Sequence, residues 1–220
     1  MIIKIDREPY DVGDKVYKKA KHEFLPGLNV LVGCNGAGKS TMLLQVQEHC
    51  ESENIPYIQF NNLTQSGSSS IGEHLFAGRA TFAMTMMISS EGERIRMNFE
   101  RFVEHLQEKV DKILESGGDQ LFILLDALDS GLAVNQIADF RDFLQWLAAE
   151  EKKRRGVDLY ILVAANTYEF CRGSRCWDVV EGKEKVFRTY DSFFKFVVKS
   201  HENKEIRYRK QEQQKGQEGN

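Results

Sequence analysis

Gly33-Cys34-Asn35-Gly36-Ala37-Gly38-Lys39-Ser40, followed by Thr41, gathers three glycines, a lysine and two hydroxyls into nine residues. Glycines let successive backbone N–H groups turn toward one anion, a lysine supplies a point charge, and an adjacent hydroxyl can ligate a divalent cation. The spacing is G-x-x-x-x-G-K-[ST], the Walker A or P-loop pattern. The candidate phosphate cradle is Asn35, Gly36, Ala37, Gly38, Lys39, Ser40 and Thr41, with Lys39 on the β/γ-phosphates and Ser40 on Mg²⁺. A helix N-terminus just behind the loop adds partial positive charge.

Such a loop needs a carboxylate at the tip of another strand to hold Mg²⁺ through water. Leu121-Phe122-Ile123-Leu124-Leu125 is continuously apolar and ends in Asp126. An acid at the end of a fully buried strand is costly unless it serves a ligand or a cap, so Asp126 is expected on magnesium. Other clusters carry less. Cys171 and Cys176 have a poor spacing for zinc and, with Cys34 and Cys50, read as free thiols. The five histidines are scattered singly, without ligand spacing.

The elements that must position these residues follow from apolar patterning. Leu28 to Val32 is a short strand running into the loop, and Ser40 to Glu51 a helix leaving it. Residues 1–32 read as two or three strands with turns at Gly13 and Pro26-Gly27. Ile55 to Phe60 is a strand. Ile71 to Met87 and Arg94 to Glu115 carry helical spacing, so the segment from about 65 to 117 is expected as a small helical lobe inserted between sheet strands. Asn135 to Arg155 is a helix closed by Gly156. Leu159 to Ala164 is a second buried strand. A hairpin turns at Glu181-Gly182, and Ser192 to Ser200 is a last helix. Alternating strands and helices imply an α/β fold with a mostly parallel sheet. Residues 1–203 are expected as one domain, and 204–220, charged and Gln-rich, as a disordered tail.

The chain of 220 residues has 41% hydrophobic residues, enough for one core, and a net charge of −3, which gives no support to a nucleic-acid-binding surface over the whole protein. Lys152-Lys153-Arg154-Arg155 reads as complement to a helix dipole on a solvated face, with a nucleic-acid contact as the alternative. No run approaches a membrane span, and Met1 to Asp6 is too short and charged for a signal peptide; a cytoplasmic protein is expected.

Asp126-Ala127-Leu128-Asp129-Ser130-Gly131-Leu132 resembles the D-E-P-D-S-G-L run of ABC-type ATPases, closer to SMC-like, RecF-like and OLD-like heads than to transporter subunits. Cys34 to Thr41 is similar to their C-N-G-x-G-K-S-T. The resemblance spans about residues 1 to 200 and implies a P-loop NTPase fold with N-terminal β strands and a small helical lobe. It implies ATP and Mg²⁺ as ligands, and an ATP-dependent homodimer or a pairing with a related subunit. Ser130 to Leu132 corresponds to the family's D-loop. Ser90-Glu91-Gly92-Glu93 looks like a degenerate S-G-G-Q signature, so that Ser90 and Gly92 would approach a γ-phosphate held by the partner copy. Ser90 and Glu93 also form a capping box, which is compatible.

Three positions depart from the family. The catalytic glutamate after the Walker B aspartate is Ala127, which removes a base contributing roughly 10²–10⁴ in rate; Asp129 is the nearest carboxylate that could replace it. The switch histidine is Asn166, able to hydrogen-bond a phosphate but not to titrate near neutrality. The Q-loop residue, a magnesium-side contact, is ambiguous between Gln59, Gln65 and neither. Tyr10 and Tyr17 are candidates for stacking on adenine or for packing. The absence of N-K-x-D favours ATP over GTP. The expected function is a slow Mg-dependent ATPase whose ATP-bound dimer drives change in a protein partner, with DNA repair, phage biology or defence as contexts. The alternative is a nucleotide-gated binding module with negligible turnover.

Overall fold

The computed structural model describes residues 1–10, 15–61, 102 and 105–218, with side chains up to 209. Its strands are β1 (Ile2–Lys4), β2 (Lys21–Glu23), β3 (Gly27–Val32), β4 (Tyr57–Asn61), β5 (Gln120–Asp126), β6 (Asp158–Ala164), β7 (Arg175–Asp178) and β8 (Lys183–Lys185). The helices are α1 (Lys39–Ser52), α2 (105–115), α3 (Val134–Arg155), α4 (Tyr168–Cys171) and α5 (Tyr190–Glu218).

Six strands form one sheet in the order β4-β5-β6-β3-β7-β8, parallel throughout except for β8. Parallel strands buried on both faces carry apolar residues at nearly every position. Successive side chains supply opposite faces. Val30, Ile123 and Ile161 pack on one side with Leu106, Val110, Leu144 and Phe193 from α2, α3 and α5. Leu31, Phe122 and Leu162 pack on the other with Met42, Val46 and Cys50 of α1. The molecule is therefore a three-layer α/β arrangement, with β1 and β2 as a separate antiparallel pair. No helix among the described residues is long and apolar enough to cross a membrane.

Strand order brings the chemistry together. From β3 the chain crosses to the far edge at β4 and returns through β5 and β6 to lie beside β3, while β7 takes its other side. Register pairs Asp126 with Ala164, and Ala164 with Leu31, so β3, β5 and β6 end at one level. Ligands of open α/β sheets bind at such carboxyl ends, where strand order reverses. Asn29 anchors the start of β3, its amide donating to the carbonyls of Leu25 (2.8 Å) and Gly27 (3.0 Å).

The expected strands, the α3 helix closed by left-handed Gly156 (φ 76°) and the hairpin turning through Gly182 (φ 60°) are present. All four cysteines are buried free thiols. The expected end of the last helix near Ser200 and the disordered tail from 204 are corrected: α5 continues to Glu218. Its Glu, Gln, Lys and Arg are good helix formers. Phe193, Phe196, Val197, Ser200, Lys204 and Arg207 recur at three and four along it, and the first three pack on the core. The expected helix 71–87, the turn at Gly13 and most of the expected lobe lie outside the described residues.

His22, fully buried between the small sheet and β7, accepts a hydrogen bond at Nδ1 from Trp177 Nε1 (2.8 Å) and donates from Nε2 to the Lys19 carbonyl (3.1 Å). Both ring nitrogens are then satisfied only in the neutral form, and burial pushes its pKa down. The unfolded chain binds the proton first, so this group's stabilisation is full above the unfolded value near 6.5 and is lost as pH falls toward the lower folded value. Thermal unfolding of wild type should drop more steeply between about pH 7 and 5 than that of His22→Gln. Parallel pH profiles for the two proteins would show that His22 carries no pH-dependent stability.

Candidate functional site

The glycine-rich loop leaves β3 at Gly33 and enters α1 at Lys39. Gly36 (φ 73°) and Gly38 (φ 95°) adopt left-handed backbone that suits glycine. A Cβ at Gly38 would lie 2.8 Å from the Tyr17 hydroxyl, so both conformation and space require glycine there. The first N–H groups of α1 have no intrahelical acceptor, and no side chain caps them. The first turn holds no acid and begins with a buried lysine. A cation at a helix N-terminus opposes the helix dipole, so this end is electrostatically incomplete until an anion joins it.

Lys39 Nζ donates to the carbonyls of Gly33 (2.9 Å) and Cys34 (3.1 Å), which aims its ammonium across the loop. Burial pushes its pKa down, opposed by the nearby charges of Cys34, Asp129 and Asp126. Ser40 Oγ donates to Asp126 Oδ1 at 3.1 Å, joining the loop to the tip of β5 across the intervening strand β6. Thr41 Oγ1 lies 2.7 Å from the hydroxyl of exposed Tyr10.

Beyond Asp126 the chain turns sharply. Ala127 takes a left-handed conformation (φ 52°), uncommon for a residue with a Cβ, and its carbonyl accepts from Ser130 N (3.0 Å). The turn sends Asp129 back under the sheet edge, where it is nearly buried and accepts the Asn166 backbone N–H at 2.6 Å. Asn166 is itself exposed, two residues past the end of β6. Asp126, Asp129 and Asn166 thus share the loop's edge of the sheet. Among the described residues, no group of three or more His, Cys, Asp or Glu side chains could hold a metal by itself.

Gln59 is placed differently. It pairs with Leu124, two residues short of the Asp126 level, and lines an edge groove with His105 and Lys109. Asn61 is the β4 residue at the Asp126 level. Gln65, Ser90, Gly92 and Glu93 lie outside the described residues. Of the two tyrosines, Tyr17 is fully buried, donates its hydroxyl to the Gly38 carbonyl (2.7 Å) and meets His22 edge-on; its ring is packing. Tyr10 is the exposed one beside the loop.

Two contacts to the loop come from the far end of the chain. Ser200 Oγ accepts the Cys34 N–H (3.1 Å), and Lys204 Nζ donates to the Asn35 carbonyl (3.1 Å). Both belong to α5 and reach the loop across more than 160 positions; no local pattern signals them. Their only trace is the helical spacing of Phe193, Phe196, Val197, Ser200 and Lys204.

Compared with known proteins, the chain matches no family model and no curated protein.

Proposed function

We propose that the chain binds Mg-ATP at the glycine-rich loop and acts as a compact ABC-type head, with slow hydrolysis and nucleotide-dependent pairing. The observation that carries the reading is the Ser40–Asp126 contact at the mouth of an uncapped helix whose first residue is a buried lysine. A strand-tip carboxylate beside a loop hydroxyl is the donor set of a magnesium held mainly by substrate phosphates, since Mg²⁺ commonly takes one or two protein ligands and keeps waters. Bound there, the cation would neutralise charge on the β- and γ-phosphate oxygens. Lys39 would leave its two carbonyls for the phosphates, the amides from Asn35 to Thr41 would hold the chain, and Tyr10 would face the base. Asn166 would offer its amide to the γ-phosphate.

The second reading, a nucleotide-gated binder with negligible turnover, is favoured by one contact. Asp129, the nearest carboxylate able to replace the missing glutamate, is nearly buried and already accepts the Asn166 N–H. A carboxylate so engaged holds the turn rather than a water.

Assembly tests the reading. ATP or a non-hydrolysable analogue should convert monomer to dimer in sedimentation velocity runs. Ser90→Arg should prevent that conversion while leaving calorimetric affinity for Mg-ATP unchanged. A sedimentation coefficient indifferent to nucleotide would remove the trans role of Ser90 and Gly92, and undetectable Mg-ATP binding would remove the reading itself.

A further inference from the structure

Two peptide groups of the glycine-rich loop are gripped from α5, and the two grips have opposite polarity. A trans peptide is planar, so its C=O and N–H point to opposite sides. In the group joining Gly33 to Cys34, the N–H donates to Ser200 Oγ (3.1 Å) and the C=O, on the other side, accepts from Lys39 Nζ (2.9 Å). In the group joining Asn35 to Gly36, the C=O accepts from Lys204 Nζ (3.1 Å). A Cβ built on Gly36 would lie 3.5 Å from the same ammonium, which therefore sits against this peptide. The Gly36 N–H is thereby turned away from α5. Phe193, Phe196 and Val197 pack α5 on the core, so Ser200 and Lys204 reach the loop from a fixed base.

The second peptide is the one with a choice. Cys34 to Ala37 is a β-turn, closed by the Ala37 N–H on the Cys34 carbonyl (3.1 Å). Gly36 holds its third position at φ 73°, and Asn35 before it does not share the positive φ, which makes the turn type II. Type I closes the same hydrogen bond with the central peptide flipped by about 180°. Glycine takes either sign of φ with similar ease, so the local sequence does not lock the flip. Lys204 does, because only the observed orientation presents the Asn35 carbonyl to it. We propose that Lys204, supported by Ser200, is a positioning residue of the nucleotide site: it holds the Asn35–Gly36 peptide so that the Gly36 N–H faces the phosphate chain. This rests on the Mg-ATP reading above and deepens it, since the anion-binding geometry of the loop is then set by α5 rather than by the loop alone. A cation on the carbonyl side and an anion on the N–H side favour the same orientation, so lysine and nucleotide reinforce each other.

Calorimetric titration of the full chain with Mg-ATP, paired with ¹H–¹⁵N spectra in which the Gly36 amide is assigned, tests this. Lys204→Met keeps the alkyl stem and removes the donor; it should weaken Mg-ATP binding about tenfold, the share expected of one charge-assisted hydrogen bond. Lys204→Arg, which can still donate to the carbonyl, should recover most of that loss. Lys199→Met removes the same charge from an exposed site on the same helix and should change affinity less than about twofold. Without nucleotide, Lys204→Met should displace the Gly36 amide resonance, and Mg-ATP should then move it less than in wild type. Circular dichroism should show every variant folded. Wild-type affinity in Lys204→Met, an equal loss in Lys199→Met, or a Gly36 amide in Lys204→Met that answers Mg-ATP as the wild type does would overturn the proposal and leave the nucleotide site standing. Absence of Mg-ATP binding by the wild type would instead remove the nucleotide reading, and this one with it.

Discussion

Lys39→Ala is expected to lower affinity for Mg-ATP at least a hundredfold, about 2.7 kcal/mol, without unfolding the protein. The ammonium is buried and held by two carbonyls of the loop, Gly33 and Cys34, and no carboxylate forms an ion pair with it among the described residues. Burial disfavours its charged form, and an anionic phosphate chain bound in the proposed site would favour that form. In the variant the charge is gone and the loop glycines, the Ser40–Asp126 contact and the packing of Met42 and Val46 remain. Removing an unpaired buried charge relieves desolvation, which offsets the packing lost with its stem, so thermal stability should move by only a few degrees. Isothermal titration of both proteins, paired with thermal melts, reads the two effects separately. Equal affinities would show that the loop does not bind the phosphate chain. A collapsed melt would show that Lys39 is structural first.

How far the fold was legible depends on where each element's burial comes from. β5 and β6 are apolar at nearly every position because helices cover both faces, and that pattern is visible without any knowledge of partners. α3 announces its own end through Gly156. Asp126 stands out because an acid at the end of such a strand demands a reason. Only the start of α5 is legible, because its first turns are apolar enough to be recognised, whereas Ser200, Lys204 and Arg207 meet Cys34, Asn35 and Val16 through polar groups. A helix that packs through hydrogen bonds and alkyl stems resembles, in sequence, a helix that packs on nothing. The same limit hid the roles of Tyr17 and of Gln59. Tyr17 faces Gly38 through a tertiary contact, and Gln59 falls two residues below the site because the register of β4 against β5 depends on the whole sheet. Net charge is silent on placement in a related way: a chain at −3 lines the cavity beside the glycine-rich loop with seven cations, because the sum over a surface says nothing about its distribution.

Hydrolysis is where the site departs furthest from its resemblance, and Ala127→Glu is expected to produce the largest gain. Wild-type turnover should fall well below the median enzyme value of about 10 s⁻¹, since Ala127 has no proton acceptor. Placing a carboxylate there should raise turnover by about 10²-fold, within the range ascribed to a positioned base. The backbone already accepts the substitution. Ala127 adopts the left-handed conformation with its Cβ in place, so glutamate adds a longer side chain to a strain the turn already bears. Asp129→Asn supplies the contrast. Its amide oxygen can still accept the Asn166 N–H, so the turn should survive, and because Asp129 is committed to that bond the rate should change less than about threefold. A loss of 10²-fold in Asp129→Asn would instead identify Asp129 as the base, with its other oxygen reaching the water. Phosphate release at saturating Mg-ATP for the three proteins distinguishes these cases. Rapid wild-type turnover, indifferent to Asp129→Asn and to Ala127→Glu, would place water activation on a residue outside the turn and end the analogy with the family at this position.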